Sequence, residues 1–171
     1  MDLPGFPEFV AVRYTDLLRT AYLLTGRREA AEDLVQTALL STMRRWDSVA
    51  DPLAYTRRAM ANLRISLWRR IGSRELLTAT PPERTIPDGV AGLAERDELL
   101  AALNRLPARM RTVLVLRYWE DLSEAEAAQV LGCSVGTVKS QASRGLARLR
   151  DVLRPDGSRQ PDGAVSVGGS E

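Results

Sequence analysis

Two groups of side chains in this 171-residue chain have the types and spacing to grip nucleic acid. The first is Gly136, Thr137, Lys139, Ser140, Ser143 and Arg144, which fall on the outer sides of a helix predicted from Val135 to about Arg150. A guanidinium at Arg144 can bond guanine through two parallel hydrogen bonds, and the lysine and hydroxyls suit phosphates or base edges. The second is Arg58, Asn62, Ile65 and Arg69, spaced four, three and four residues apart, with Arg57 and Arg64 beside them. At helical spacing the four share one face, which offers cations for phosphates and one amide for a base edge. On spacing alone, the same arginines also read as a solvated basic helix face.

The elements that would position the first group are punctuated clearly. Ser123 is placed to cap a short helix, and Glu126, three residues on, can close a capping box. Gly132 ends that helix where a left-handed backbone costs least. Ser134 then caps the next helix, with Thr137 three residues later. Ala127 and Ala128 are small, as two closely crossing helices require. Val138, Ala142, Leu146 and Leu149 fall on the inner side of the second helix. This is the pattern of a helix-turn-helix whose second helix enters the major groove. The alternative from the same residues is a packed helical hairpin with no DNA.

The rest of the chain reads as helix, with no strand alternation. Tyr14, Leu17, Leu18, Ala21 and Tyr22 form one apolar stripe, ending near Gly26. Ala31, Leu34, Val35, Ala38, Leu39 and Thr42 form a second, leading to Trp46 and a loop from Asp47 to Asp51. Pro52 suits a first helical position after Asp51 as cap. Leu53, Thr56, Met60, Leu63 and Leu67 form a third stripe, opposite the Arg58–Asn62 face. Residues 73–92, with Pro81, Pro82, Pro87, Gly89 and Gly92, read as a mobile linker. A second helical unit follows, with Leu99, Leu100, Leu103 and Leu106, then Met110, Val113, Leu114 and Tyr118 after Pro107. From about residue 154 the sequence has little to bury and reads as a disordered tail. The expected fold is all-α: two small helical domains, 6–72 and 93–153, on a flexible linker. Each is marginal alone by its surface-to-volume ratio.

Composition narrows the chemistry. Hydrophobic residues make up 44% and net charge is +2, so any basic patch must be local. There is no histidine, and Cys133 is the only cysteine, which removes the commonest general base and any cysteine-based zinc site. No phosphate-binding glycine loop or nucleophile motif appears, so an enzyme is the least favoured reading, and no metal or cofactor is expected. No apolar run reaches membrane-spanning length and no leader pattern opens the chain, so a cytoplasmic location without membrane insertion is expected.

The run Leu18-Arg19-Thr20-Ala21-Tyr22-Leu23-Leu24-Thr25-Gly26, then Ala31-Glu32-Asp33-Leu34-Val35-Gln36, Trp46 and Asp51-Pro52-Leu53-Ala54-Tyr55, resembles region 2 of bacterial sigma factors. Leu106-Pro107 through Arg150 resembles their region 4, and the stretch between is too short for a region 3 domain. The combination is similar to the extracytoplasmic-function group, in its sigma-E-like subfamily, over about residues 6–153. The resemblance implies a dissociable RNA polymerase subunit that reads two promoter elements and helps open the duplex. It implies that Glu32, Asp33 and Gln36 dock on the clamp coiled coil of the polymerase largest subunit; on spacing alone they read as an ordinary solvated face. It matches Asn62 to a position reading a −10 base on the non-template strand, within a face of Arg57, Arg58, Ile65 and Arg69, beside a loop that helps hold a flipped base. It matches Thr137, Lys139, Ser140, Ser143 and Arg144 to the −35 reading helix. Further implied partners are the flap of the second-largest subunit and, as is frequent in this group, an anti-sigma protein. The rival readings are a LuxR-like regulator that binds DNA without polymerase, against which the first half shows no receiver-like strand and helix alternation, and a helical adaptor.

Overall fold

The structure, a computed structural model, describes residues 3–71 and 94–154, with side chains described up to Leu67 and again from Glu98. Seven α-helices are present among these residues and no strand: α1 (Phe6–Thr25), α2 (Arg28–Met43), α3 (Pro52–Ile71), α4 (Ala94–Asn104), α5 (Ala108–Leu114), α6 (Glu124–Leu131) and α7 (Val135–Leu153). A short 3-10 turn, Trp46–Ser48, separates α2 from α3, and α5 runs on into a π-helical turn, Val115–Trp119. The linker expected over 73–92 and the tail expected beyond Arg154 lie outside the described residues.

Helices α1, α2 and α3 form the first module. The α2 stripe is buried as its spacing predicts: Ala31, Leu34, Val35, Ala38, Leu39 and Thr42 all face inward. They pack on Leu17, Ala21 and Leu24 of α1 and on Met60 of α3. Each fully buried leucine contributes about 1.5–3 kcal/mol. Thr42 Oγ1 and Thr56 Oγ1 lie 2.7 Å apart between α2 and α3; one hydroxyl donates to the other, which donates to a carbonyl of its own helix, so neither buried hydroxyl is without a partner. Asp51 caps α3, its Oδ1 accepting from the Ala54 amide at 3.0 Å, with Pro52 next, as expected. Trp46 is a packing residue. Its ring stands edge-on to Phe6 at 5.2 Å and its indole N–H donates to the Pro4 carbonyl at 3.0 Å, which ties the start of α1 to the end of α2.

Helices α4 to α7 form the second module. The capping box is complete: the Glu126 amide donates to Ser123 Oγ at 3.1 Å and the Ser123 amide donates to Glu126 Oε2 at 2.7 Å. Gly132 closes α6 with φ of 62°, the left-handed conformation its position predicts. Ser134 caps α7 by accepting from the Thr137 amide at 3.1 Å. Val138 and Ala142 are buried, and so is Gly145, where α7 lies close on Leu114 of α5. The π turn adds a residue per turn, with the Glu120 amide bonding the Val115 carbonyl at 3.0 Å. The extra residue rotates Tyr118 off the apolar side where α-helical spacing places it, and its side chain is exposed.

The two modules pack against each other, which the picture of domains held apart on a tether does not anticipate. Ala61 and Ile65 of α3 join one apolar cluster with Leu103, Leu106, Val113, Leu114, Leu116, Ala127, Ala128, Leu131 and Val138. In the other direction, Val115 enters the core of the first module. Helix α3 is therefore buried on two sides. Its Thr56–Met60 side faces α1 and α2, and its Ala61–Ile65 side faces α5 and α6. This corrects two sequence expectations. Ile65, expected on an open face, is 7% exposed, whereas Leu67, expected in the core stripe, is 45% exposed. A single stripe cannot describe a helix sandwiched between two layers.

Candidate nucleic-acid interface

Helix α7 holds its candidate residues where the sequence places them. Gly136, Lys139, Ser143 and Arg144 are exposed, and Thr137 and Ser140 are half-buried. Ser140 Oγ donates to the Thr137 carbonyl at 3.1 Å and Thr137 Oγ1 lies 2.9 Å from Ser134 Oγ, so both hydroxyls are held by the first turn of the helix. Lys139 Nζ reaches Glu124 Oε2 at 3.6 Å, a solvent-exposed pair of little strength that a phosphate could displace. Glu126 has its carboxylate held below the usual range, first by the bond to the Ser123 side chain and then by the bond to the Ser123 backbone. It stays an anion on the N-terminus of α6, where the helix dipole favours one.

The α3 face is partly covered. Arg57, about one-third exposed, is ion-paired with Glu120, whose side chain is only 2% exposed. Glu120 also accepts a hydrogen bond from Thr20 Oγ1 of α1, and Thr20 Oγ1 in turn accepts from the Trp119 indole at 3.1 Å. Arg58 donates from Nη2 to the Gln129 carbonyl at 3.3 Å, a cation at the C-terminal end of α6. Asn62 is exposed. Arg69 lies on the last turns of α3, and its side chain is outside those described. Arg64 does not join this face. Its Nε donates to the Leu24 carbonyl at 3.0 Å, and burial pushes its pKa down.

Beside it, Arg111 of α5 donates from Nε to the Leu23 carbonyl and from Nη1 to Asn104 Oδ1, which leaves its buried Nη2 unpartnered. Burial, reinforced by the like charge of Arg64 and opposed by Tyr22, pushes Arg111 down to about 9. Two arginines thus hold the carbonyls that end α1, one from each module, without a carboxylate.

On α2, Asp33 and Gln36 are exposed and Glu32 is half-buried, its carboxylate 3.0 Å from Arg28 Nε. Leu40, one turn beyond Gln36, is 50% exposed and extends this edge with an apolar surface. Sequence reasoning passed over Leu40 because it neighbours the buried Leu39; its spacing of four from Gln36 was the available signal. Reasoning from spacing also passed over Glu120 and Thr20, which meet each other across a hundred residues of sequence.

Residues 10–74 match the family described as sigma-70 region 2, and residues 96–149 match sigma-70 region 4. The RNA polymerase sigma-E factor of Streptomyces avermitilis is 43% identical over 151 residues, covering 86% of this chain and 84% of that protein. The sigma-E factor of Streptomyces coelicolor is 42% identical over the same share of this chain and 85% of its own length. Among solved structures, the sigma factor RpoE of Bartonella quintana in complex with the anti-sigma factor NepR superimposes with a TM-score of 0.69 at 28% identity, covering 88% of this chain and 98% of that one. CnrH in complex with the cytosolic domain of CnrY gives 0.60 at 26% identity over 89% of each chain. These matches span both halves of the chain; the LuxR-like reading accounts only for the second and is not supported.

Proposed function

Because the chain belongs to the sigma-70 family of RNA polymerase sigma factors, in the sigma-E-like, extracytoplasmic-function group, we propose that it binds core polymerase through α2, reads the two promoter elements with α3 and α7, and promotes melting between them. It performs no covalent chemistry; its work is binding energy spent on promoter choice and strand separation. It acts beside the polymerase in the cytoplasm, and among the described residues no helix is long and apolar enough to cross a membrane. We take 6–72 as the region 2 module and 93–153 as the region 4 module, with 73–92 between them and the tail from 154.

The observation that carries the reading is the pairing, in one chain, of two capped recognition helices with an acidic edge that contacts neither module's core. In the region 4 module, Lys139, Ser143 and Arg144 lie open for the −35 duplex, with Thr137 and Ser140 at the helix start. In the region 2 module, Arg57, Arg58, Asn62, Ile65 and Arg69 are assigned to the −10 strand. Unstacking a flipped base costs a few kcal/mol, which phosphate contacts and a base-edge bond from Asn62 offset. On α2, Asp33 and Gln36, with Glu32 and the apolar Leu40, suit a basic coiled coil: charge steers the encounter and the leucine adds buried area. The flap of the second-largest subunit is assigned to the region 4 module, and an anti-sigma protein is the proposed inhibitor by likeness to the solved complexes.

Reconstituted run-off transcription tests the reading. Purified chain added to bacterial core polymerase is expected to give initiation at defined start sites, mapped genome-wide, while the chain alone binds duplex DNA weakly at physiological salt. Tight, site-specific binding by the chain alone, with no gain in initiation, would overturn it.

A further inference from the structure

We propose that Glu124, on the helix before the recognition helix, attenuates the grip of the region 4 module on duplex DNA by holding Lys139. The inference rests on the assignment of α7 to the −35 duplex and adds a residue that the assignment does not name. The two cations assigned to α7 stand in different surroundings. Arg144 is exposed and joins no ion pair among the described residues. Lys139 Nζ lies 3.6 Å from Glu124 Oε2, with the lysine side chain 63% exposed and the glutamate 36%. The two also differ in chemistry. A guanidinium fork can select guanine, whereas an ammonium on a flexible stem is a point charge that meets any phosphate. The carboxylate thus engages the cation that adds affinity without discrimination and leaves the base-reading cation uncovered.

Glu124 is free to do this. It is the first residue of α6, directly after the Ser123 cap. The other carboxylate of that turn, Glu126, is committed to the capping box, its Oε2 accepting from the Ser123 amide at 2.7 Å. Glu124 takes no part in the box and crosses the turn to α7 instead. In a docked helix-turn-helix the first helix crosses the DNA backbone, so phosphates pass close to this pair. A phosphate must displace Glu124 before it gains Lys139. The pair is exposed, and its loss corresponds to roughly two- to fivefold in an equilibrium constant. Non-specific binding is almost wholly electrostatic, so withholding one cation lowers it for every sequence alike. The free chain is then held less on bulk DNA, where competing sites are in vast excess.

Fluorescence anisotropy on the full-length chain tests this. The probes are a mixed-sequence duplex and a duplex carrying the −35 element mapped by run-off transcription, each titrated from about 50 to 200 mM salt. Glu124→Gln is expected to raise affinity for both duplexes by the same factor, roughly two- to fivefold at the low-salt end. The slope of log affinity against log salt should steepen by up to one phosphate contact, about 0.9, because salt no longer weakens a competing pair. The gain should largely vanish in a Lys139→Gln background, and helix content by circular dichroism should stay at the wild-type value. Unchanged affinity overturns the proposal. So does a fall, which would make Glu124 an aid that orients Lys139 toward DNA, and so does a gain that persists in full without Lys139. A changed base preference at the −35 element also overturns it, since the carboxylate would then be reading a cytosine. In each of these cases the assignment of α7 stands. If Lys139→Gln and Arg144→Ala both leave affinity and salt slope at wild-type values, it is the assignment of α7 to DNA that fails.

Discussion

Replacing Gly26 with alanine should strain the chain in two separable ways. Gly26 ends α1 with φ of 77°, a backbone conformation that costs a side-chain-bearing L-residue about 1–2 kcal/mol. The added methyl would also meet Asn104 Oδ1 at 1.9 Å and Cγ at 2.7 Å, so Asn104 must swing away. Swinging an amide is cheap in itself, but this one accepts from Arg111 Nη1, and Arg111 is already short of a partner at Nη2. Losing a bond to a buried charged group costs about 1.5–3 kcal/mol. Gly26→Ala is therefore expected to destabilise the chain by roughly 2.5–5 kcal/mol in urea unfolding followed by circular dichroism. Asn104→Ala breaks the same Arg111 bond while removing the obstacle. In that background Gly26→Ala should cost only the backbone term of about 1–2 kcal/mol. The double variant should thus be less destabilised than the sum of the single changes by about the energy of the Arg111 bond. Additivity within roughly 0.5 kcal/mol would refute the claim that Gly26 and Asn104 meet. Because Asn104 belongs to the second module, additivity would also argue against the way the two modules pack.

The promoter-facing assignments predict a division of effect: in transcription from a mapped promoter, Asn62→Ala should weaken use of the −10 element and Arg144→Ala use of the −35 element, each by about 1–3 kcal/mol of discrimination. Equal losses in core binding alone, measured by competition for polymerase, would show both faces misassigned. Ser134→Ala removes the acceptor for the Thr137 amide and should cost about 1 kcal/mol of stability by thermal unfolding, with −35 use falling because Lys139 and Ser140 ride on the loosened turn. Glu126 predicts an acid-side effect. Its folded pKa lies below the unfolded value, so its cap stabilises the protein above the ordinary carboxylate range and the stabilisation is lost as pH falls through the lowered folded value. Unfolding of wild type and Glu126→Gln across acidic pH should converge at the low end; parallel curves would show the carboxylate contributes nothing there.

The likeness to solved sigma factor complexes extends over both helical modules, and one helix accounts for how the two pack together. One helix, α3, serves two masters. Its Thr56–Met60 side completes the first module's core and its Ala61–Ile65 side fits the second. Glu120, just after the π turn, owes its place between the modules to that turn, since ordinary α-helix would shift its register against Thr20 and Arg57.

Local order was legible from the sequence. The capping box at Ser123 and Glu126, the left-handed Gly132, the Ser134 and Asp51 caps and the whole α2 stripe follow from bonds and contacts spanning three or four residues, which the order of side chains dictates. The outward set of α7 followed too, because its inner side is fixed by Val138 and Ala142. What tertiary structure alone decided was which exposed-looking residues are used up. Ile65 went into a core, and Arg57 and Arg58 found partners 63 and 71 residues away; conversely Tyr118, apolar by spacing, stands exposed beside the π turn. Helical periodicity defines faces but not how many of them are covered; that depends on which distant helix arrives, and its arrival is settled by the shared apolar cluster rather than by any local rule.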